Sequence, residues 1–181
     1  MSVRPTLDRR QEKTRQAIVA AFLDLLFEQS YPALTMAAVA ARANVGRSTL
    51  YEHFRTKPDL LKHTLSAPFG DLAAAIEAGT ATPELTALLQ HFRDHQGLGR
   101  VLFAPPTRGL LQKVLVGQIE TRLEATAIPS SLMASQIAAA QLALLEPWIL
   151  GQVALSADIM AEAVWRSSRA LISAMTATKA C

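Results

Sequence analysis

One cysteine, Cys181, stands in a chain of 181 residues. A single thiol forms no disulfide within the chain and builds no cysteine-rich metal site, a usage that fits a reducing, cytoplasmic compartment. Strand signals are nearly missing, because runs of alternating Val, Ile, Thr and aromatic residues do not occur. Uninterrupted apolar runs are missing too. The most apolar stretch, from Ile137 to Leu155, contains Gln141, Glu146, Pro147 and Gln152. A carboxylate and a proline at mid-span exclude a membrane helix and point to a buried helix at a subunit interface. The first ten residues, Met-Ser-Val-Arg-Pro-Thr-Leu-Asp-Arg-Arg, lack the apolar core of a signal peptide.

Catalytic signatures are absent as well. There is no Gly-x-Ser-x-Gly, no His-Glu-x-x-His and no phosphate loop. Glu120 and Glu124 share a helix face, and a solvated surface accounts for them. His91 and His95 also share a face, but a metal needs a third ligand, and Asp94 points elsewhere. The sequence therefore predicts no enzyme, no cofactor and no metal.

What is present is helix-forming. Half the residues are apolar, only 18% are charged, and Leu and Ala dominate. The expected fold is all-α, with a three-helix N-terminal head and a C-terminal helical bundle. The length suits one or two small domains with a real core, divided here as residues 1–62 and 63–181. The net charge is only +3, but residues 1–62 hold ten Lys/Arg against six Asp/Glu, while residues 63–181 hold eight against nine. The basicity lies at one end, as a nucleic-acid partner requires.

Along the chain, residues 1–12, with Arg4, Arg9 and Arg10, are expected to form a mobile basic arm. A first helix is predicted from about Lys13 to Gln29, with Ile18, Phe22, Leu25 and Leu26 at helical spacing. Pro32 ends it, since the residue before proline avoids helix. A second helix opens at Thr35, a good N-cap, and ends near Ala43. Asn44 accepts the left-handed backbone of a tight turn. A third helix starts near Gly46, with Leu50 and Phe54 facing inward alongside Val39 and Val45. Thr56 caps a fourth helix. Pro68 with Gly70, Gly97-Leu-Gly99 and Pro105-Pro106 read as breaks. Later helices are predicted from Thr82, from Thr107 to about Thr126, from Ser130 or Ser131 to about Gly151, and from Ser156 to about Thr178.

Two short helices joined by a tight turn make a helix-turn-helix, which lays its second helix in the DNA major groove. The first turn of that helix offers Arg47, Ser48 and Thr49. Arginine donates two parallel bonds to guanine O6 and N7, and Ser or Thr reaches base edges or a thymine methyl. Thr35, Tyr51, His53 and Lys57 have donors for phosphate.

Thr35, Val39, Ala40, Ala43, Val45, Thr49, Leu50, Tyr51, His53, Phe54, Lys57 and Leu60 together resemble the N-terminal signature of TetR-type transcriptional regulators, over about residues 13–65. Two positions depart: Asn44 replaces the usual Gly, and Gly46 replaces the usual capping Ser. The resemblance implies base contacts from Arg47, Ser48 and Thr49 and backbone contacts from Thr35, Tyr51, His53 and Lys57. It implies a homodimer joined through the last two helices, with Leu142, Leu145, Trp148, Ile149, Met160, Val164, Leu171 and Met175 at the interface or in the core beneath it. It also implies a pocket for a small apolar or amphipathic effector, with His91, Arg93, His95, Arg100 and Trp148 as its polar or aromatic lining. The leading expectation is a repressor that an effector releases from a palindromic operator. The other is a DNA binder whose body serves only dimerisation or a protein partner.

Overall fold

A computed structural model describes residues 4–105 and 107–176, without the side chains of 4–8, 96 and 98. Cys181 and the expected helix end at Thr178 lie outside the described residues. Every regular element among those described is a helix: α1 (Arg4–Glu28), α2 (Met36–Arg42), α3 (Arg47–His53), α4 (Lys57–Ala74), α5 (Pro83–Asp94), α6 (Gln96–Phe103), α7 (Thr107–Glu120), α8 (Ser130–Ile149) and α9 (Ala157–Thr176). They fall into two units, Met1–Thr64 and Leu65–Cys181, and α4 runs from the first into the second. No helix among the described residues is long and apolar enough to cross a membrane.

In the first unit, Ile18, Phe22, Leu26, Leu34, Val39, Leu50, Leu60 and Leu61 are wholly or almost wholly buried. Ile18, Phe22 and Leu26 recur at four-residue steps and give α1 one apolar stripe, which Leu60 and Leu61 match from the start of α4. α1 begins at Arg4 rather than Lys13, so the expected mobile arm is instead the first turns of a helix. Pro5 is harmless in the first turn, and Arg9, Arg10, Gln11 and Glu12 are good helix formers. The segment's own polar contacts support it: Glu12 pairs with Arg15, Gln16 donates to Glu12 at 3.1 Å, and the Thr14 hydroxyl donates to the Arg10 carbonyl at 3.0 Å.

α4 passes through Pro68 and Gly70, both expected to break it. A proline in a helix interior costs about 3 kcal/mol. Leu65, Phe69, Leu72 and Ala73 are each no more than 4% exposed, and burying side chains of that size returns about 1.5–3 kcal/mol for each large one. Long-range packing wins over the local signal. α6 likewise runs through Gly97 and Gly99. Two ends also differ. α7 stops at Glu120, not Thr126, and α8 starts from Pro129 as N-cap, with no side-chain cap from Ser130 or Ser131.

In the second unit, the last carbonyls of α4 accept from the turn that follows, as where Ala75 N–H donates to Leu72 O at 3.3 Å. Side chains of α8 and α9 add donors to Leu72 and to the carbonyls just past the helix end. Gln141 Nε2 donates to Leu72 O at 3.2 Å, Arg169 Nη1 to Ile76 O at 3.0 Å, and Trp165 Nε1 to Ala78 O at 2.9 Å. Arg122 adds an ion pair to Glu77 at 3.6 Å.

Candidate nucleic-acid interface

Local chemistry shapes α2, the turn and α3. The Thr35 side-chain oxygen accepts from the Ala38 N–H at 3.1 Å, satisfying one of the free donors at the start of α2. Asn44 takes φ 52°, the left-handed conformation expected of it. The chain then closes back, with Val45 N–H donating to Ala40 O at 3.0 Å. Gly46 caps α3 through its extended backbone and without a side-chain bond. Arg42 grips Glu28 with two bonds, at 2.9 and 2.7 Å, tying α2 to α1. The Arg42 guanidinium beside Glu28 holds its carboxyl below the usual carboxylate range.

Burial sorts the faces of α3. Leu50 and Phe54 are buried, at 0% and 4% exposure, and anchor one side. Arg47 and Ser48 are exposed, and Tyr51 is 50% exposed, a large value for an aromatic side chain. Thr49 and His53 are half-buried, as is Val45, which was expected to face fully inward. Both Thr49 and His53 line a cleft of about 450 Å³ between α3 and α1, opposite Arg10, Gln11 and Thr14. Gln11 and Thr14 escaped the sequence reading, and Arg10 was placed in a mobile arm. Helical spacing carried past Lys13 was the signal that could have found them.

Lys57 is placed differently from expectation. Its ammonium is turned into the protein, donating to Tyr31 O at 2.8 Å, Leu34 O at 2.7 Å and Pro32 O at 3.4 Å. It also stands 4.5 Å from the centroid of the Tyr31 ring. Its donors face the loop between α1 and α2, not the solvent side on which the expected phosphate contact would lie. Burial pushes the Lys57 amine pKa down and the Tyr31 phenol pKa up. The Tyr31 hydroxyl is buried with no hydrogen-bond partner among the described residues.

In the second unit, Leu142, Leu145, Trp148, Ile149, Met160 and Val164 are all buried within the single chain, at 0–3% exposure. They are core, the second of the two places that the resemblance left open to them. Leu171 and Met175 are half-buried. The outward side of α8 and α9 instead carries Leu132 (62% exposed), Ala139, Ala143, Ile159 (55% exposed) and Ala170. These were not singled out from the sequence, because α8 is apolar on every side and periodicity alone does not tell its faces apart.

The expected pocket residues also come out elsewhere. His91, His95 and Arg100 are exposed. The two imidazoles stack at 4.3 Å between centroids, and no group of three metal-binding side chains occurs among the described residues. Arg93 lies over the Trp148 ring at 5.6 Å, while the indole N–H donates to Leu155 O at 2.9 Å. The body's apolar cavity is lined by other residues, among them Phe69, Phe92, Phe103, Leu111 and Leu145, and has a free volume of only about 10 Å³. The reason is the register of α5, which turns Leu85, Leu89 and Phe92 inward and so sends its histidines outward.

Comparison with known proteins agrees with this geometry. Residues 18–64 match the family model for bacterial regulatory proteins of the tetR family. An uncharacterized HTH-type transcriptional regulator of Bacillus subtilis, YxbF, is 40% identical over 57 residues, which are 31% of this chain and 15% of that protein. The matched regions span only 15 to 38% of the curated relatives' own lengths. A solved TetR transcriptional regulator from Streptococcus agalactiae shares 26% identity over 89% of this chain and 96% of its own, with a TM-score of 0.58. A TetR-family regulator from Streptomyces coelicolor matches 96% of this chain and 99% of its own at 17% identity, with a TM-score of 0.63, a likeness of fold. Residues 18–64 thus carry the helix-turn-helix domain of the tetR family of bacterial regulatory proteins, and the described helical body shares the fold of solved TetR-family regulators.

Proposed function

We propose that the protein is a homodimeric, cytoplasmic DNA-binding regulator that represses from a palindromic operator and is released by a small apolar or amphipathic effector. The observation that carries the DNA part is the exposed side of α3. Arg47, Ser48 and Tyr51 stand open to solvent while Leu50 and Phe54 anchor the helix from behind. Arg47 and Ser48, with Thr49 beside them, read bases. Thr35, Tyr51 and His53 hold the sugar–phosphate backbone.

The homodimer is supported by the outer face of α8 and α9. From Leu132 to Ala143 that face of α8 carries no charge, and on α9 the exposed Ile159 and Ala170 stand either side of the Arg166–Glu162 ion pair. Small residues let helices approach closely, and an uncharged, half-apolar stripe of this length is unusual on a surface that stays wet. A two-fold dimer sets two recognition helices about 34 Å or more apart, hence a palindrome.

The effector is supported by the apolar lining of the body cavity. At about 10 Å³ it admits no metabolite as it stands, whereas ligand sites run to about 300–1,000 Å³. An effector that takes this cavity would have to bind a more open body, and its preference for that state would shift the population away from the DNA-binding form. The same closed cavity favours a second reading, in which the body only dimerises and no effector exists. Thermal shift against metabolite pools separates the two. Selection of random DNA by the purified protein, followed by sequencing, tests the DNA part: an enriched palindrome supports it, and no enrichment overturns it.

A further inference from the structure

We infer that Lys57 is a positioning residue for the DNA-reading head, acting through the loop between α1 and α2 rather than on phosphate. This inference rests on the head binding DNA. A lysine ammonium has three N–H donors and no acceptor. Here three carbonyls within one turn of chain, those of Tyr31, Pro32 and Leu34, lie 2.7–3.4 Å from it. The donors reach back 23 to 26 residues, from the first turn of α4 to the entrance of α2. The Tyr31 ring supplies a further face at 4.5 Å, an arrangement that attracts a cation.

The loop held in this way leads straight into the DNA-reading machinery. Leu34 precedes Thr35, whose oxygen caps α2 through the Ala38 N–H. α2 in turn carries α3 through the turn at Asn44. Without the ammonium, the part-buried carbonyls of Tyr31 and Leu34 and the exposed one of Pro32 lose their shared donor, and Tyr31 O keeps the Leu34 N–H at 3.3 Å; a part-buried carbonyl that loses its partner costs stability. The entrance of α2 then loosens, and the recognition helix moves with it. Lys57 half-buries its charge to do this. Burial lowers the amine's pKa, a penalty that a solvent-facing phosphate contact would not carry.

The test compares wild type with Lys57→Met, which keeps the stem but drops the ammonium, and with Lys57→Arg, which keeps the charge. The probe is a DNA fragment selected by the wild type, titrated over a range of salt, alongside amide hydrogen exchange on the free protein. Lys57→Met is expected to speed exchange at Leu34 and Ala38. It should weaken DNA binding by the same factor at every salt concentration, leaving the salt slope unchanged. Lys57→Arg should fail to restore affinity, because a planar guanidinium does not fit three converging carbonyls. A slope shallower by about one with unchanged exchange, and rescue by arginine, would assign Lys57 to phosphate and overturn the inference. Faster exchange or a lower melting temperature with unchanged affinity of the folded protein would overturn it too. If Lys57→Met does not fold, the wild type decides: a Lys57 ammonium NMR signal indifferent to added DNA supports the clamp, and one that shifts on binding contradicts it. A wild type that binds no DNA would strike the DNA reading instead, and the exchange result would still report on the clamp.

Discussion

A Cβ placed on Gly99 would stand 2.0 Å from Ile149 Cγ2, so α6 lies against α8 at a distance only glycine allows. The neighbour is a β-branched side chain in a helix, stiff about χ1 and itself buried at 2% exposure. Gly99→Ala is therefore expected to destabilise the body by about 1–3 kcal/mol through overpacking. Gly97→Ala, two residues away and with open space around it, should be neutral or mildly stabilising. Denaturant unfolding of both variants checks the contrast.

Gln141 is fully buried, donating to Leu72 O and to Ser168 Oγ at 3.2 and 2.9 Å, with its own Oε1 unpartnered among the described residues. Gln141→Leu removes two bonds but also the orphan oxygen, and is expected to cost only about 1 kcal/mol. Gln141→Glu places a buried acidic group against the Leu72 carbonyl. It should cost about 3 kcal/mol or more at neutral pH, and less in acid, where the carboxyl protonates. Melting temperatures at two pH values measure both.

His63 gives the head a pH dependence. Burial, and then the nearby Arg15 charge, depress its pKa below 6.5, with Glu12 opposing, and its ring lies 5.2 Å from that of Phe54. A depressed folded pKa means that the unfolded chain binds the proton more readily. The stabilising contribution is therefore present above about pH 6.5 and is lost as pH falls through the lower folded value. Melting curves between pH 8 and 5 should show this loss, and His63→Gln should flatten it. The Glu28–Arg42 pair acts in a separate, more acidic window, because the Glu28 carboxyl titrates below its ordinary 4.5.

Ala143 is exposed in the single chain, so Ala143→Glu should leave the folded monomer intact while placing a charge in the proposed two-fold interface. Sedimentation should show a dimer for the wild type and a monomer for the variant, with loss of palindromic DNA binding. A variant that still dimerises would move the interface off α8.

The elements read best from sequence were those made by near neighbours. The Thr35 cap, the left-handed Asn44 and the inward pair Leu50 and Phe54 each depend on contacts within a few residues, and each came out as expected. The misread ones depend on distant partners. Pro68 and Gly99 looked like breaks because local propensity says so, yet α4 and α6 are held by packing that no local window contains. The inward turn of Lys57 was equally out of sight, because its three acceptors lie more than 20 residues back in the chain. The outward face of α8 was hidden for another reason. Alanine and leucine occupy all its sides, so only tertiary contacts distinguish exposed Ala139 from buried Leu142.

Parallel selection of random DNA by the wild type and by Arg47→Ala is the experiment to which the DNA assignment is most exposed. The wild type should enrich a palindrome. Arg47→Ala should enrich the same palindrome with base preference relaxed at one position in each half-site and affinity lowered by about 1–3 kcal/mol. An unchanged preference at every position would mean that the exposed face of α3 does not read bases through Arg47, and the assignment of this face would be wrong.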